Sequence, residues 1–261
     1  MSKYWAIFKT QLANNFAYPG NLASGSIAIV LFLWIFAQLW KVAYRTAGAT
    51  SIAGLTEHDT LWYLMLAEMI TLSKPRVSRT IAQAVRDGSV AYLLNKPYNF
   101  LLYQCSVGFG DSALRLVTNA LVGGAVVWLQ VGPPPNPQAW PLVLITVALA
   151  WLLDFCVSAM IGLAAFVAEE VYAFEWIYQK LLFILGGLLI PLDFYPAWLQ
   201  TIAKATPFAY TVYAPARLFV EPTLLRFGTV LVGQIAWLAV LIGLLGLFYR
   251  QGIARLAING G

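Results

Sequence analysis

The sequence has 261 residues, is 61% hydrophobic with a mean hydropathy of +0.74, and is only 10% charged. Soluble domains carry roughly 25% charged residues, so a chain this poor in charge cannot cover a water-facing surface. Its formal charge of +5 does not point to nucleic acid, because the Lys and Arg side chains fall mostly between apolar runs, where they set membrane orientation. Ten Trp and thirteen Tyr suit the two membrane interfaces. Cys105 and Cys156 lie in apolar runs without metal-ligand spacing and read as small hydrophobes. The first apolar run begins about twenty residues in and is too long for a signal core, so no cleavable leader is expected.

In chain order, Ser2 to Tyr18 repeats Trp5, Phe8, Leu12 and Phe16 at helical spacing. It predicts a helix lying in the interface, with a water-facing helical tail as the alternative. Leu22 to Trp40 carries no charge and predicts a first span; Thr60 to Leu72, broken by Glu68, predicts a second. Pro75 to Asp87 follows, with proline at its start and Gly88 past its end. These are helix start and stop signals. Val77, Ile81 and Val85 form its apolar stripe, with Arg79, Gln83 and Arg86 elsewhere. That segment is read either as an amphipathic helix on the cytoplasmic side or as a solvated basic loop that only sets topology.

Tyr98 to Val131 predicts a third span, interrupted by Asp111 and Arg115. After a turn rich in proline (132–137), Trp140 to Val167 predicts a fourth, in which only Asp154 is charged. Glu175 to Leu192 predicts a fifth and Phe227 to Tyr249 a sixth. Between these two, Pro196, Pro207 and Pro215 break up Asp193 to Pro222, while Trp198, Leu199, Ile202, Phe208, Tyr210 and Tyr213 keep it apolar. Broken backbone at membrane depth survives only when buried in protein or lining a cavity. A re-entrant hairpin in the outer leaflet is therefore expected. The fold class is an all-α membrane protein of six transmembrane helices, forming a single domain over residues 1–261.

With both termini inside, the cytoplasmic segments hold Lys3, Lys9, Lys74, Arg76, Arg79, Arg86, Lys96, Arg250 and Arg255. Only Lys41, Arg45, Lys204, Arg217 and Arg226 lie outside, and this bias favours cytoplasmic ends.

No G-x-x-x-x-G-K-[ST] phosphate loop occurs, so ATP hydrolysis by this chain is not expected. A single histidine, His58, rules out an H-E-x-x-H metal site and leaves little for a hydrolase. The stretch from Thr56 to Asp59 reads instead as a cap on the second span. No catalytic residue, cofactor or metal is assigned to the chain.

Ionisable residues inside spans cost of order 2.5–3.5 kcal/mol each and are functional candidates by default. Asp111 and Arg115, four apart, can neutralise each other on one helix face, either as a structural pair or on a substrate path. Glu68 and Asp154 have no local partner, so each must meet one on another helix, face a wet cavity or be protonated. Glu169, Glu170 and Glu175, at the junction of spans four and five, read as solvated carboxylates or as contacts for a basic partner.

The order of these pieces resembles the type-2 permease family of ATP-binding-cassette transporters. The matching strings are 81–88 (Ile-Ala-Gln-Ala-Val-Arg-Asp-Gly), 93–97 (Leu-Leu-Asn-Lys-Pro), 187–192 (Gly-Leu-Leu-Ile-Pro-Leu), 195–199 (Tyr-Pro-Ala-Trp-Leu) and 206–208 (Thr-Pro-Phe). The resemblance covers essentially the whole chain. It implies a permease subunit of an exporter in the bacterial cytoplasmic membrane, paired with an identical or paralogous permease above a separate ATPase dimer that binds ATP and magnesium. Pro75–Asp87 would be the coupling helix, with Arg79, Gln83, Arg86 and Asp87 as contacts. Residues 193–222, with Pro196, Trp198, Pro207 and Phe208, would form an outer gate. The chain lacks the large extracellular domain of some members, and the substrate is not readable. Two other readings remain. One is a secondary transporter driven through Glu68, Asp111 and Asp154, although no internal repeat supports it. The other is a non-transporting membrane scaffold.

Overall fold

Apolar runs longer than a bilayer is thick can bury their backbone polar groups only by forming helix, and the architecture is accordingly helical. The computed structural model describes residues 2–17, 19–168 and 170–259, with side chains at 3–16, 26–168 and 170–254. Glu169, Tyr18 and the Arg255 side chain lie outside the described residues.

Twelve α-helices are described: α1 (Ser2–Ala17), α2 (Pro19–Ala47), α3 (Glu57–Ser73), α4 (Val77–Arg86), α5 (Ser89–Leu94), α6 (Phe100–Val131), α7 (Trp140–Leu163), α8 (Tyr172–Ile184), α9 (Ala197–Lys204), α10 (Pro207–Thr211), α11 (Tyr213–Val220) and α12 (Leu224–Asn259). Pairing outside helices among the described residues is one isolated bridge between Ile52 and Leu55. Four segments are long and apolar enough to cross a membrane: Ser26–Ala47, Phe100–Val131, Pro137–Phe166 and Leu224–Ala254.

Two expected spans come out shorter than a crossing. At 1.5 Å per residue α3 reaches about 26 Å and α8 about 20 Å, against a hydrocarbon thickness of about 30 Å. Where the sequence predicts a continuous fifth span to Leu192, α8 stops at Ile184. Gly187 then takes φ +67°, a left-handed turn favouring glycine, and its carbonyl accepts a 2.6 Å hydrogen bond from the Tyr63 hydroxyl. The chain turns here because a buried tyrosine satisfies a backbone carbonyl that the broken helix leaves free.

Local signals fix the helix ends. Thr56 accepts from the Asp59 amide while the Asp59 carboxylate accepts from the Thr56 amide, a capping box on α3. Asn99 caps α6 through the Leu102 amide, and Gly132 at φ +96° ends it before three prolines.

Helix directions follow from a ladder of contacts. His58 Nε2 donates to the Pro133 carbonyl (2.8 Å), Met65 lies against Gly123, and Asn119 donates to Ser73 Oγ (3.0 Å). Thus α3 and α6 are antiparallel. Gln234 of α12 donates to the Thr146 carbonyl of α7, and Phe166, just beyond α7, lies against Gly252, so α7 and α12 run parallel. α7 is buried over most of its length, whereas α2, α6 and α12 expose most of their apolar surface.

Two clusters make up the core. The larger joins α2, α3, α7 and α11 around Leu33, Tyr63, Met65 and Phe219; the smaller joins α4, α7 and α12 around Ile81, Ala159 and Leu245. α1 runs alongside the start of α6: Lys3 donates to the Pro97 carbonyl, the Asn99 amide donates to Tyr4, and Asn15 donates to the Gly110 carbonyl. The predicted stripe on α1 is therefore divided. Phe8 and Leu12 are half-buried, whereas Trp5 and Phe16 are exposed.

Candidate functional site

α4 is short and strongly two-faced. Val77, Ser78, Ile81, Ala82 and Ala84 are buried, while Arg79, Gln83 and Arg86 face out. The apolar stripe matches the sequence expectation at Val77 and Ile81, with Val85 half-buried. The start does not match: Pro75 is buried two residues before the helix, and Arg76 occupies the N-cap without a side-chain hydrogen bond. α4 seats directly on Gly162 of α7, where an added Cβ would lie 2.8 Å from Ile81 Cβ and 2.9 Å from the Ser78 carbonyl. Only a residue without a side chain permits that approach.

The exposed arginines meet carboxylates of this same chain. Arg79 Nε donates to Glu175 (2.9 Å), which also accepts from Ser78 Oγ (2.6 Å), and Arg86 lies 3.3 Å from Glu170. Glu170 and Glu175 are thus occupied by α4. The Arg86–Glu170 pair is exposed on both sides and is weak and exchangeable, whereas the Glu175 carboxylate that Arg79 meets is mostly buried and also held by Ser78. Gln83 is exposed, and Asp87 accepts from the Ser89 amide (2.9 Å). Hydrogen bonds from the Ser89 side chain and amide hold the Asp87 carboxyl below its ordinary range, keeping it charged near neutrality.

Just before α4, Lys74 leads inward to Asp154, the buried and only charged residue of α7. Asp154 accepts from the Tyr178 hydroxyl (2.8 Å) and Ser158 Oγ (3.4 Å), and faces Lys74 Nζ at 3.4 Å. Lys74 also lies 4.9 Å from the Tyr178 ring centre. This cluster ties the approach to α4 to α7 and α8. Sequence reasoning could not find Lys74 or Tyr178 as partners, because they are 80 and 24 residues away from Asp154. Beside them a cleft of about 310 Å³ is lined by Lys74, Arg76, Arg79, Arg115 and Glu175.

The other intramembrane candidates behave differently. Asp111 and Arg115 form an ion pair within α6, and Arg115 also donates to the Asp111 carbonyl (3.2 Å). Glu68 is buried on α3 with no hydrogen-bond or ionic partner among the described residues. Arg115 of the α6 pair lines the same cleft as Lys74, Ser158 and Tyr178, the three side chains that hold Asp154, whereas Glu68 is not among that cleft's lining.

The proposed gate residues also divide. Pro196 and Trp198 are exposed around the start of α9, whereas Phe208, in the first turn of α10, turns its ring toward Tyr178 (6.0 Å). Pro207 beside it opens α10. The Tyr210 carbonyl accepts from Gln234 (3.0 Å), and every residue of α11 is buried.

A family model described as "ABC-2 family transporter protein" matches residues 28–260. The chain belongs to this family. No curated protein matches it. As an ABC-2 permease it is a multi-pass membrane transport component, of a family that has no ATPase site of its own and works with ATP-binding-cassette ATPases.

Proposed function

We propose that the chain is one permease half of an ATP-driven exporter, pairing with a second permease and docking an ATPase dimer through α4. The observation carrying this reading is the seating of α4. One short helix touches α7 at Gly162, holds α8 through Glu175, and follows directly on Lys74, which faces Asp154. A push on its outer face would therefore reach α7 and α8 at once. Such a push does net work only if ATP binds the two packings differently.

In this reading α2, α3, α6, α7, α8 with the turn after it, and α12 make six crossings, with both termini cytoplasmic. α1 lies at the cytoplasmic interface, and α9 to α11 form a re-entrant hairpin acting as the outer gate. The bond from Gln234 to Tyr210 supports that hairpin, because Gln234 lies three turns into α12. The bacterial cytoplasmic membrane is the proposed location. Arg79 and Arg86 would exchange Glu175 and Glu170 for ATPase carboxylates, alongside Gln83 and Asp87.

The test is co-purification of the tagged chain in mild detergent, against a version with Arg79, Arg86 and Asp87 all changed to Ala. An ATPase should accompany the native chain and be lost from the triple variant. Absence of any ATPase while the permease oligomer stays intact would sink the reading, and gradient-driven transport through Glu68 would be tested instead.

A further inference from the structure

At the end of the bundle opposite α4 lies a second charged pocket. Its position follows from Asn136, which leaves the far end of α6 and donates to the Val220 carbonyl at the end of α11 (2.8 Å). The pocket measures about 240 Å³ and lies between α9–α11 and the first turns of α12. Three of its lining side chains are cationic, Lys204, Arg217 and Arg226, and none is acidic. Tyr210 and Tyr213 supply aromatic wall, and Thr229 a hydroxyl.

The carboxylates that balance these cations lie behind them. Arg217 faces Asp193 at 3.3 Å and Glu221 at 3.0 Å, and Arg226 donates to Glu221 at 2.8 Å. The Tyr213 hydroxyl donates to Asp193 (3.1 Å), and Lys204 donates to the Gln200 amide oxygen (2.9 Å). The balance is incomplete. Two carboxylates stand against three cations, and the buried Nε atoms of Arg217 and Arg226 have no hydrogen-bond partner. Arg217 Nε meets Asp193 by charge alone, because at 3.3 Å the two atoms are not aligned for a hydrogen bond. A pocket lined by three cationic side chains and no carboxylate is the chemistry that takes an anionic oxygen, and the planar fork of Arg matches a phosphate.

We propose that this pocket is an anion site for a phosphate headgroup at the outer face, with Lys204 and Arg226 as its adjustable contacts and Arg217 as its fixed floor. The aromatic wall and the flanking apolar helices favour a phosphate diester carrying acyl chains over a free ion. The site stands independently of ATPase docking.

The experiment places the full chain in phosphatidylcholine nanodiscs containing a minor fraction of phosphatidylglycerol and counts retained anionic lipid by native mass spectrometry. Retention should fall about tenfold in Lys204→Gln/Arg226→Gln, the loss expected for removing charge-assisted hydrogen bonds. Arg226→Lys should restore most of it. Arg250→Gln, an exposed cation at the α4 end, should change nothing. Added inorganic phosphate distinguishes the sources: displacement marks a site for phosphate in general, and persistence marks one for the lipid diester. Because Arg226 also holds Glu221, Lys204→Gln alone serves as the variant that disturbs only a surface contact, and it must lose retention too. Native retention in that chain, or an equal loss with Arg250→Gln, overturns the site.

Discussion

Asp154 and Glu68 are both carboxylates in apolar helices, yet their surroundings assign them different roles. Asp154 is held by Tyr178, Ser158 and Lys74. Removing one partner of a buried pair leaves an uncompensated charge and costs about 3–5 kcal/mol, more than removing both. Lys74→Met should therefore lower stability by about 3 kcal/mol, and Lys74→Met/Asp154→Asn should recover much of it. Denaturant unfolding in detergent across the four-member cycle checks this, and additive losses would refute the coupling. Glu68 has no partner among the described residues to lose. Glu68→Gln keeps the shape of the side chain and removes only its ability to ionise, so its unfolding temperature should rise or stay level, because ionising an unpaired carboxyl in a span is costly. If transport falls in that stable variant, the carboxylate serves substrate or proton movement rather than packing.

Elements are joined by contact distance as much as by charge. α4 and α7 approach each other over Gly162, and no side chain fits there without displacing Ile81. Gly162→Val should cost about 1–3 kcal/mol by overpacking. It should also weaken the link between ATPase turnover and transport while leaving Arg79, Gln83, Arg86 and Asp87 in place. ATPase activity that stays fully coupled in a folded Gly162→Val chain would show that α4 transmits nothing through this contact. The break after α8 is similar in kind. Gly187 takes a left-handed conformation with the Tyr63 hydroxyl closing over it, so Gly187→Ala should destabilise by at least about 1 kcal/mol.

For the whole molecule the decisive quantity is the direction of each helix. α3 against α6, and α7 beside α12, place α1 and the end of α12 on the side that carries α4. Single cysteines should report this on intact cells with an impermeant maleimide. Ser51→Cys, exposed between α2 and α3, should label from outside, and Gln83→Cys only after permeabilisation. The native thiols Cys105 and Cys156 are half-buried and buried, so their background should be low. The reverse pattern would invert the topology and remove α4 from the ATPase side.

The sequence by itself determined that the chain is helical and membrane-embedded, and where most helices begin. Uncharged runs, the Thr56–Asp59 cap and the proline turn at 132–137 are local properties that operate within a few residues. For Pro75 to Asp87 it left a helix or a solvated loop open, and the structure decided for a helix with Arg79, Gln83 and Arg86 on its outer face. Only the tertiary structure decided that α8 stops at Ile184, since the stop depends on Tyr63, 124 residues from Gly187. The same holds for the partner of Asp154, for the carboxylates that occupy Arg79 and Arg86, and for the cationic pocket of Lys204, Arg217 and Arg226. Charges in an apolar medium find whichever partner the packing brings near, and no local pattern in the chain records which one that will be.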